Sequence, residues 1–415
     1  MKPTCRTTSL LLFLAVVSWV PLHLLAQTHP VFLQLKGTGT GNRIIGAGTG
    51  VGIAGNFAYV SHSGGLEIYC VTNPALPVRV GGSESQSPAN AIQLAGHYVY
   101  LALGPRQSIT NDPGAFEIVD VSDPSSPVRV GYTNTYARAN DIRVTCHHAY
   151  VAEATRWTGS NLLGALEIFD ISTPSNPVRV AVFDTPGAVT SVDVSGNHAC
   201  LTDGVTDVQV LDVSDPGHPS RIGIYQPDLS RCAFEPLGPA DYVQLVGNLA
   251  YSAGGNGLNV LDITNPSQPV RVLDNTCIPI YSLQVVGHYA YMAIFHSFLN
   301  TFILHVVDTS NLTNWVPVGL KADWPPVRME VVDNLIYLAT DPLLVYELSD
   351  RPVIQSISKK DGNVTLVWDY APGFVLQRTT SLTDPFWTDV PDSVDQNTID
   401  LPAIGENQFF RLARP

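Results

Sequence analysis

Phe116-Glu-Ile-Val-Asp-Val-Ser-Asp-Pro-Ser-Ser-Pro-Val-Arg-Val130 decides the fold, because the chain writes this stretch again and again. It returns as Leu166–Val180, Val208–Ile222 and Leu258–Val272, and in weaker copies at Leu66–Val80, Ile303–Val318 and Leu343–Ile354. The recurrent Asp column reads Cys70, Asp120, Asp170, Asp212, Asp262, Asp308 and Glu347, which makes seven copies. Internal repetition of this period is the mark of propellers and solenoids. Ahead of each copy runs a second signature of alternating apolar residues, a tight turn and a tyrosine, as in Ile92-Gln-Leu-Ala-Gly-His-Tyr-Val-Tyr100. That column is Tyr59, Tyr100, Tyr150, Cys200, Tyr251, Tyr291 and Tyr337, with successive members 40 to 51 residues apart.

Period-two alternation predicts strands. Gly-His and Gly-Asn predict short first hairpins, and the Asp-x-Ser/Thr-Asp/Asn-Pro stretch ends the third strand, since proline cannot extend a ladder. Pro-Val-Arg-Val then opens a fourth strand. The reading is all-β: a seven-bladed β-propeller of four-stranded antiparallel blades, in which radial repetition leaves only short protected edges. An elongated solenoid would want shorter repeats and capping units. The repeats fall near 48–82, 89–133, 139–183, 188–225, 241–274, 280–320 and 327–350. Pro30-Val-Phe-Leu33 looks like a fourth-strand opening placed before the first repeat, and the seventh copy has a poor fourth strand of its own. Residues 30–36 are therefore expected to close the ring as the outer strand of blade seven.

The Leu-x-Ile-x-Asp-Ile/Val-Ser/Thr core resembles the LVIVD repeat of bacterial exported and surface proteins, over about residues 30–350. That resemblance implies a propeller and says little about activity. Residues 351–415 leave the repeat. Asn363-Val-Thr-Leu-Val-Trp368, Phe374–Arg378, Trp387–Val390 and Phe409-Phe-Arg-Leu412 read as short strands and resemble the fibronectin-III-like C-terminal module of exported bacterial proteins. A small β-sandwich is expected there, with Trp368 and Trp387 in its core.

Residues 1–26 have a short basic start (Lys2, Arg6), the apolar run Leu10–Val17 and Ala26 before Gln27. This is the layout of a cleaved secretory signal, and the clean apolar stretch is too short to anchor the chain in a membrane. Residues 27–350 then form the propeller, and the protein is expected outside the cytoplasm, secreted, periplasmic or at the cell surface, with no membrane span after signal removal. Net charge is −14, a surface that repels phosphate backbones and argues against nucleic acid as a partner.

Chemistry-bearing motifs are scarce. The glycine-rich Gly37–Gly50 run lacks the Lys-Ser/Thr of a phosphate loop, and no nucleophile elbow, His-Glu-x-x-His or calcium loop occurs. His147-His148 sits where other copies place the first hairpin turn. No catalytic residue, metal site or cofactor is assigned. Gln93, Arg143, Asp193, Gln244, Gln284 and Glu330 break the apolar pattern of the first strands, beside Gly52; they are expected to line the channel and to bond blade to blade. Cys232 and Cys277, in neighbouring inter-blade loops, form the disulfide candidate, and Cys70 and Cys200 are expected as buried thiols. Tyr136, Trp157, Tyr281, His296 and Trp324 lie in inter-blade or second-to-third-strand loops, which share one face and vary in length. A binding or scaffold protein presenting that face to a protein, peptide or glycan fits best. A metal-dependent hydrolase or lactonase at the channel mouth and a purely structural surface component are the alternatives.

Overall fold

The computed structural model describes residues 32–39, 48–105, 113–159, 161–204, 208–226, 240–255, 257–273, 278–287, 289–296, 301–309, 316–322, 328–340, 342–349, 354–360, 363–368, 374–381, 386–391, 393, 398–402 and 408–413. Among them the chain is all strand and turn, without a helix. Two compact units emerge: one of residues 33–315 and 319–349, the other built chiefly from residues 350–415.

The larger unit is organised in four-stranded antiparallel sheets, seven of them among the described residues. Their first strands are Gly48–Ala54, Ala89–Ala95, Ala139–Thr145, Ser191–Ser195, Ala240–Val246, Ile280–Val286 and Met329–Val332. In sheets one to six, strands follow in chain order. Sheet seven consists of Met329–Val332, Leu335–Leu338 and Leu344–Ser349, with Phe32–Thr38 from the other end of the chain as its fourth strand. Lys36 Nζ lies 2.7 Å from Glu347 Oε2, and Gly39 N–H donates to Leu343 O at 2.7 Å.

The core lies between sheets. Second and third strands are buried almost end to end, whereas fourth strands are half exposed, so each inner strand is covered on both faces. Phe116 of sheet two meets Phe169 of sheet three edge to face, centroids 4.8 Å apart, a geometry that adds to simple burial. The same packing joins sheets one and two, three and four, four and five, and five and six. Sheet seven packs on sheet one through Tyr337, Leu343 and Val345 against Val51, Val60 and Tyr69.

Two local rules explain the repeat. Fourth-strand glycines Gly81, Gly131 and Gly223 press on the carbonyls of Pro124, Pro174 and Pro266 in the next sheet, where a Cβ would overlap the oxygen. Gly37 stands in the same relation to Pro74 of sheet one. The first hairpin turn demands a left-handed residue. Glycine fills it at Gly55, Gly96, Gly196, Gly247 and Gly287, while Cys146 (φ 51°) and Asp333 (φ 54°) fill it elsewhere. His147 and His148 belong to that turn and its exit, with Thr145 paired to His148. The recurrent Asp closes the next turn: Asp120, Asp170, Asp212 and Asp262 each accept the N–H two residues on at 2.8 Å.

Cysteine placement differs in one respect from the sequence expectation. Cys200 is buried, but Cys70 is only half-buried, because it occupies the Asp position and its Sγ lies 3.3 Å from Thr72 Oγ1. Cys232 and Cys277 lie outside the described residues.

The smaller unit holds two three-stranded sheets, Ile354–Lys360/Asn363–Trp368/Thr398–Pro402 and Thr388–Asp389/Val375–Thr379/Phe409–Ala413. Leu366 and Trp368 of one share a core with Leu376 and Val390 of the other side. Trp368 is buried, while Trp387 is half-buried under the Arg411 guanidinium, 4.4 Å from its centroid.

Cys146 sits in a conformation that costs an L-residue about 1 kcal/mol, at a turn whose glycine counterparts have open space around a Cβ. Cys146→Gly is therefore expected to stabilise the protein by about 1 kcal/mol in denaturant unfolding.

Candidate functional site

Two levels of polar side chains stand on or beside the first strands. Gln93, Arg143, Asp193, Gln244, Gln284 and Glu330 face the tyrosine column across the first hairpins, as Gln93 opposite Tyr100 and Glu330 opposite Tyr337. They bond from one sheet to the next. Arg143 Nη1 donates to Gln93 Oε1 at 2.8 Å, and its Nε lies 2.9 Å from Asp193 Oδ1. Asp193 Oδ2 accepts Leu245 N–H at 2.7 Å. Gln244 makes two 2.8 Å bonds with the backbone of Val285, Gln284 accepts Val331 N–H at 2.8 Å, and Gln284 Nε2 donates to Glu330 Oε2 at 3.2 Å. Backbone groups left open on an edge strand thus find partners in the neighbouring sheet.

Two residues earlier on the same strand faces stands a second level that sequence reading missed. Arg328 of sheet seven donates to Asp141 Oδ1 of sheet three at 3.3 Å, and its guanidinium lies 5.2 Å from the ring centre of Tyr242 in sheet five. Asp141 Oδ2 also accepts from Ser191 Oγ at 2.8 Å, and Ser191 Oγ accepts Val243 N–H at 3.3 Å. Sheets three, four, five and seven are tied together by these contacts.

Burial raises the carboxyl pKa values here. Asp193 is pushed up by desolvation despite Arg143 and two backbone donors. Desolvation pushes Glu330 up to about 7, against the Gln284 amide and the more distant Arg143 charge.

A third polar column, also missed from sequence, lies in the third strands: Glu67, Glu117, Glu167, Gln209 and Asn259, all buried. Each of the first four has the arginine of the Pro-x-Arg segment beside it. Arg79 Nε is 2.9 Å from Glu67, Arg129 3.8 Å from Glu117, Arg179 3.0 Å from Glu167, and Arg221 3.5 Å from Gln209. A recurring bulge, as between Ile168 and Phe169, sets the arginine opposite the aromatic or aliphatic residue two positions after the acid. The matching presence of Glu or Gln and Arg across the copies was the available signal.

On the side where first strands begin and second strands end, aromatics are open to solvent. Trp157 is 67% exposed and Tyr136 51% exposed. Trp157 pairs with Leu162 on a hairpin arm that extends sheet three, Thr158 facing Asn161 at its tip. Tyr136 lies against Arg179 and Arg156, at 4.0 and 5.1 Å from its ring centre. On sheet six, Tyr281 stands edge-on to Phe302, centroids 5.0 Å apart, and Phe295 packs on Phe302 at the same distance. Sheets three and six thus each carry an open aromatic patch, and nothing described bridges the two. The side chain of His296, and Trp324 entirely, lie outside the described residues. An open cavity of about 400 Å³ lies at the opposite end of sheets four and five, lined by Asn197, His198, Asn248 and Thr264. Among the described residues no group of three or more His, Cys, Asp or Glu is arranged to hold a metal ion.

A family profile of the LVIVD repeat matches residues 45–82, 88–135, 137–185, 186–226, 237–274 and 281–319. No curated protein matches the chain. Among solved structures, Sqt1 of Saccharomyces cerevisiae is similar with TM-score 0.51 at 7% identity, over 83% of this chain and 96% of that one. At that identity the likeness concerns fold alone. A computationally designed protein, Ika8 (TM-score 0.48, 10% identity, 75% of this chain and 99% of that one), is a weaker likeness. So is a functionally unknown protein from Desulfotomaculum acetoxidans (0.49, 12%, 68% and 90%).

Glu330 gives a pH signature. Its folded-state carboxyl holds a proton up to about 7, whereas the unfolded chain releases it near the ordinary value. Stability should therefore fall as pH rises through that window and level off above it. Glu330→Gln is expected to flatten that part of the melting-temperature profile and to melt higher than wild type at pH 8.

Proposed function

The chain belongs to the LVIVD-repeat family, and from that premise we propose that its larger unit is a seven-bladed propeller serving as a binding or scaffold protein. Ring closure is supported by the fourth strand lent by Phe32–Thr38, by sheet seven packing on sheet one, and by Gly37 repeating the Gly81–Pro124 relation at the seam. In such a ring the Gln93–Glu330 level and the Arg328–Asp141 pair occupy the axis, and the pair spans it. The smaller unit is read as a fibronectin-III-like sandwich, supported by the core its two sheets share. The leader-like residues 1–26 support export to the cell surface, periplasm or medium.

The observation that carries the functional reading is Trp157, a large aromatic 67% exposed on an extended hairpin arm of sheet three. Loops on a rigid scaffold are where recognition concentrates, and an exposed aromatic beside arginine is the usual chemistry of an interaction hot spot. The inner carboxylates have a different character. Asp141, Asp193 and Glu330 are engaged by Arg328, Arg143 and Gln284 of the chain itself, which suits them to holding sheets together. A protein, peptide or glycan on the Tyr136–Trp157 and Tyr281 face is the proposed ligand.

Peptide and glycan arrays probed with the intact protein identify the ligand class. Trp157→Ala is then expected to weaken binding by about tenfold or more with the melting temperature unchanged. Binding that survives Trp157→Ala and Tyr281→Ala, but is lost in Asn248→Ala at the opposite cavity, would move the site to the other face.

A further inference from the structure

Sheet three differs from its neighbours at one buried place. Glu153, at the end of the second strand, and Glu167, on the third, both have no solvent exposure. The single Tyr136 N–H donates to both, at 3.1 Å to Glu153 Oε1 and 3.2 Å to Glu167 Oε1. The Ala137 N–H also turns toward Glu153, yet two carboxyls that share the Tyr136 donor in a closed space cannot both carry a charge without large cost.

The cations that face them do not remove the conflict. Arg179 Nε is 3.0 Å from Glu167 Oε2 and serves that carboxylate. Arg156 Nη1 stands 3.9 Å from Glu153 Oε2, while its Nη2 is committed to Asp184 at 2.6 Å. Glu153 Oε2 is buried without a hydrogen-bond partner.

Sheet four shows the same position solved differently. Asp203 and Gln209 are its counterparts of Glu153 and Glu167, also with no exposure. There Gln209 Nε2 donates to Asp203 Oδ2 at 2.6 Å, and Arg221 reaches Gln209 Oε1 at 3.5 Å. An amide hydrogen occupies the place that, in sheet three, only an added proton can fill. Sheet two needs neither, since Leu103 stands in the corresponding place and Glu117 takes Ser85 Oγ at 3.2 Å instead.

We infer that Glu153 and Glu167 share one proton, and that this proton latches the loop carrying Tyr136 and Arg138 onto sheet three. Desolvation, reinforced by the Glu167 charge, pushes Glu153 up to about 9, in keeping with a proton retained at neutral pH. When that proton leaves, two buried negative charges face each other beneath the Tyr136 amide. Relief comes by admitting water and letting the loop lift, which takes the Tyr136 ring out of its Arg156–Arg179 cradle. The latch stands whether or not the exposed platform takes a ligand; a ligand held by Tyr136 would bind with the same pH dependence.

Trypsin cleavage after the exposed Arg138 reads the loop directly. The open loop gives up the proton near the ordinary carboxyl value and the latched loop near 9. The latched state is therefore most favoured at low pH and loses ground as pH rises. Cleavage in wild type, relative to Glu167→Gln, should rise roughly tenfold per pH unit from pH 7 and level off near 9. Glu167→Gln recreates the sheet-four arrangement and should resist cleavage throughout. Glu153→Gln, with the amide on the other partner, serves as the second variant and should also flatten the profile. If wild type and a folded variant show the same pH profile, or wild type alone shows no such rise, the shared proton is excluded.

Discussion

A strand that is apolar on both faces must be covered on both faces, and the larger unit is built from strands of that kind. Its second and third strands are buried over most of their length, so no sheet can stand at the end of a row without exposing a face. Each sheet therefore needs a neighbour before and after it. The packing of Tyr337, Leu343 and Val345 on Val51, Val60 and Tyr69 supplies that neighbour for sheets seven and one. A fourth strand borrowed from the start of the chain follows from the same need, because Leu344–Ser349 would otherwise be an open edge.

Covering both faces has a cost, since the polar members of the alternating pattern are buried as well. The chain meets it with partners set at fixed offsets. Arg79, Arg129 and Arg179 stand beside the third-strand glutamates, first-strand amides reach the backbone of the next sheet, and Arg328 joins Asp141 across sheets far apart in sequence. Where partners run short, as at Glu153 and Glu330, burial shifts the protonation state instead of the structure. These are the places where pH acts on the molecule.

Much of this was legible in the residues. The Asp-Pro turns, the tyrosine column and the strand order within a copy follow from spacing, and the sheet-to-sheet bonds of Gln244 and Gln284 follow from hydrogen-bond need. The Glu117–Arg129 type of pair was not read, because alternation suggests that a polar residue faces water; only the second covering sheet buries it. The Arg328–Asp141 pair joins residues 187 positions apart, beyond any local pattern. Cys146 and Asp333 were legible in principle, as substitutes in a glycine column. Of the aromatic set, Tyr136, Trp157 and Tyr281 are exposed, yet they stand on two separate sheets, a division that only the tertiary arrangement defines.

The seam between the two ends of the repeat region tests the closed ring most directly. Amide hydrogen exchange on the intact protein would be followed at Phe32–Thr38 and Leu344–Ser349, with Leu166–Asp170 of sheet three as the internal standard. A closed ring predicts slow exchange at both segments, comparable to the standard. Exchange at both within the dead time, with sheet three still protected, would contradict it.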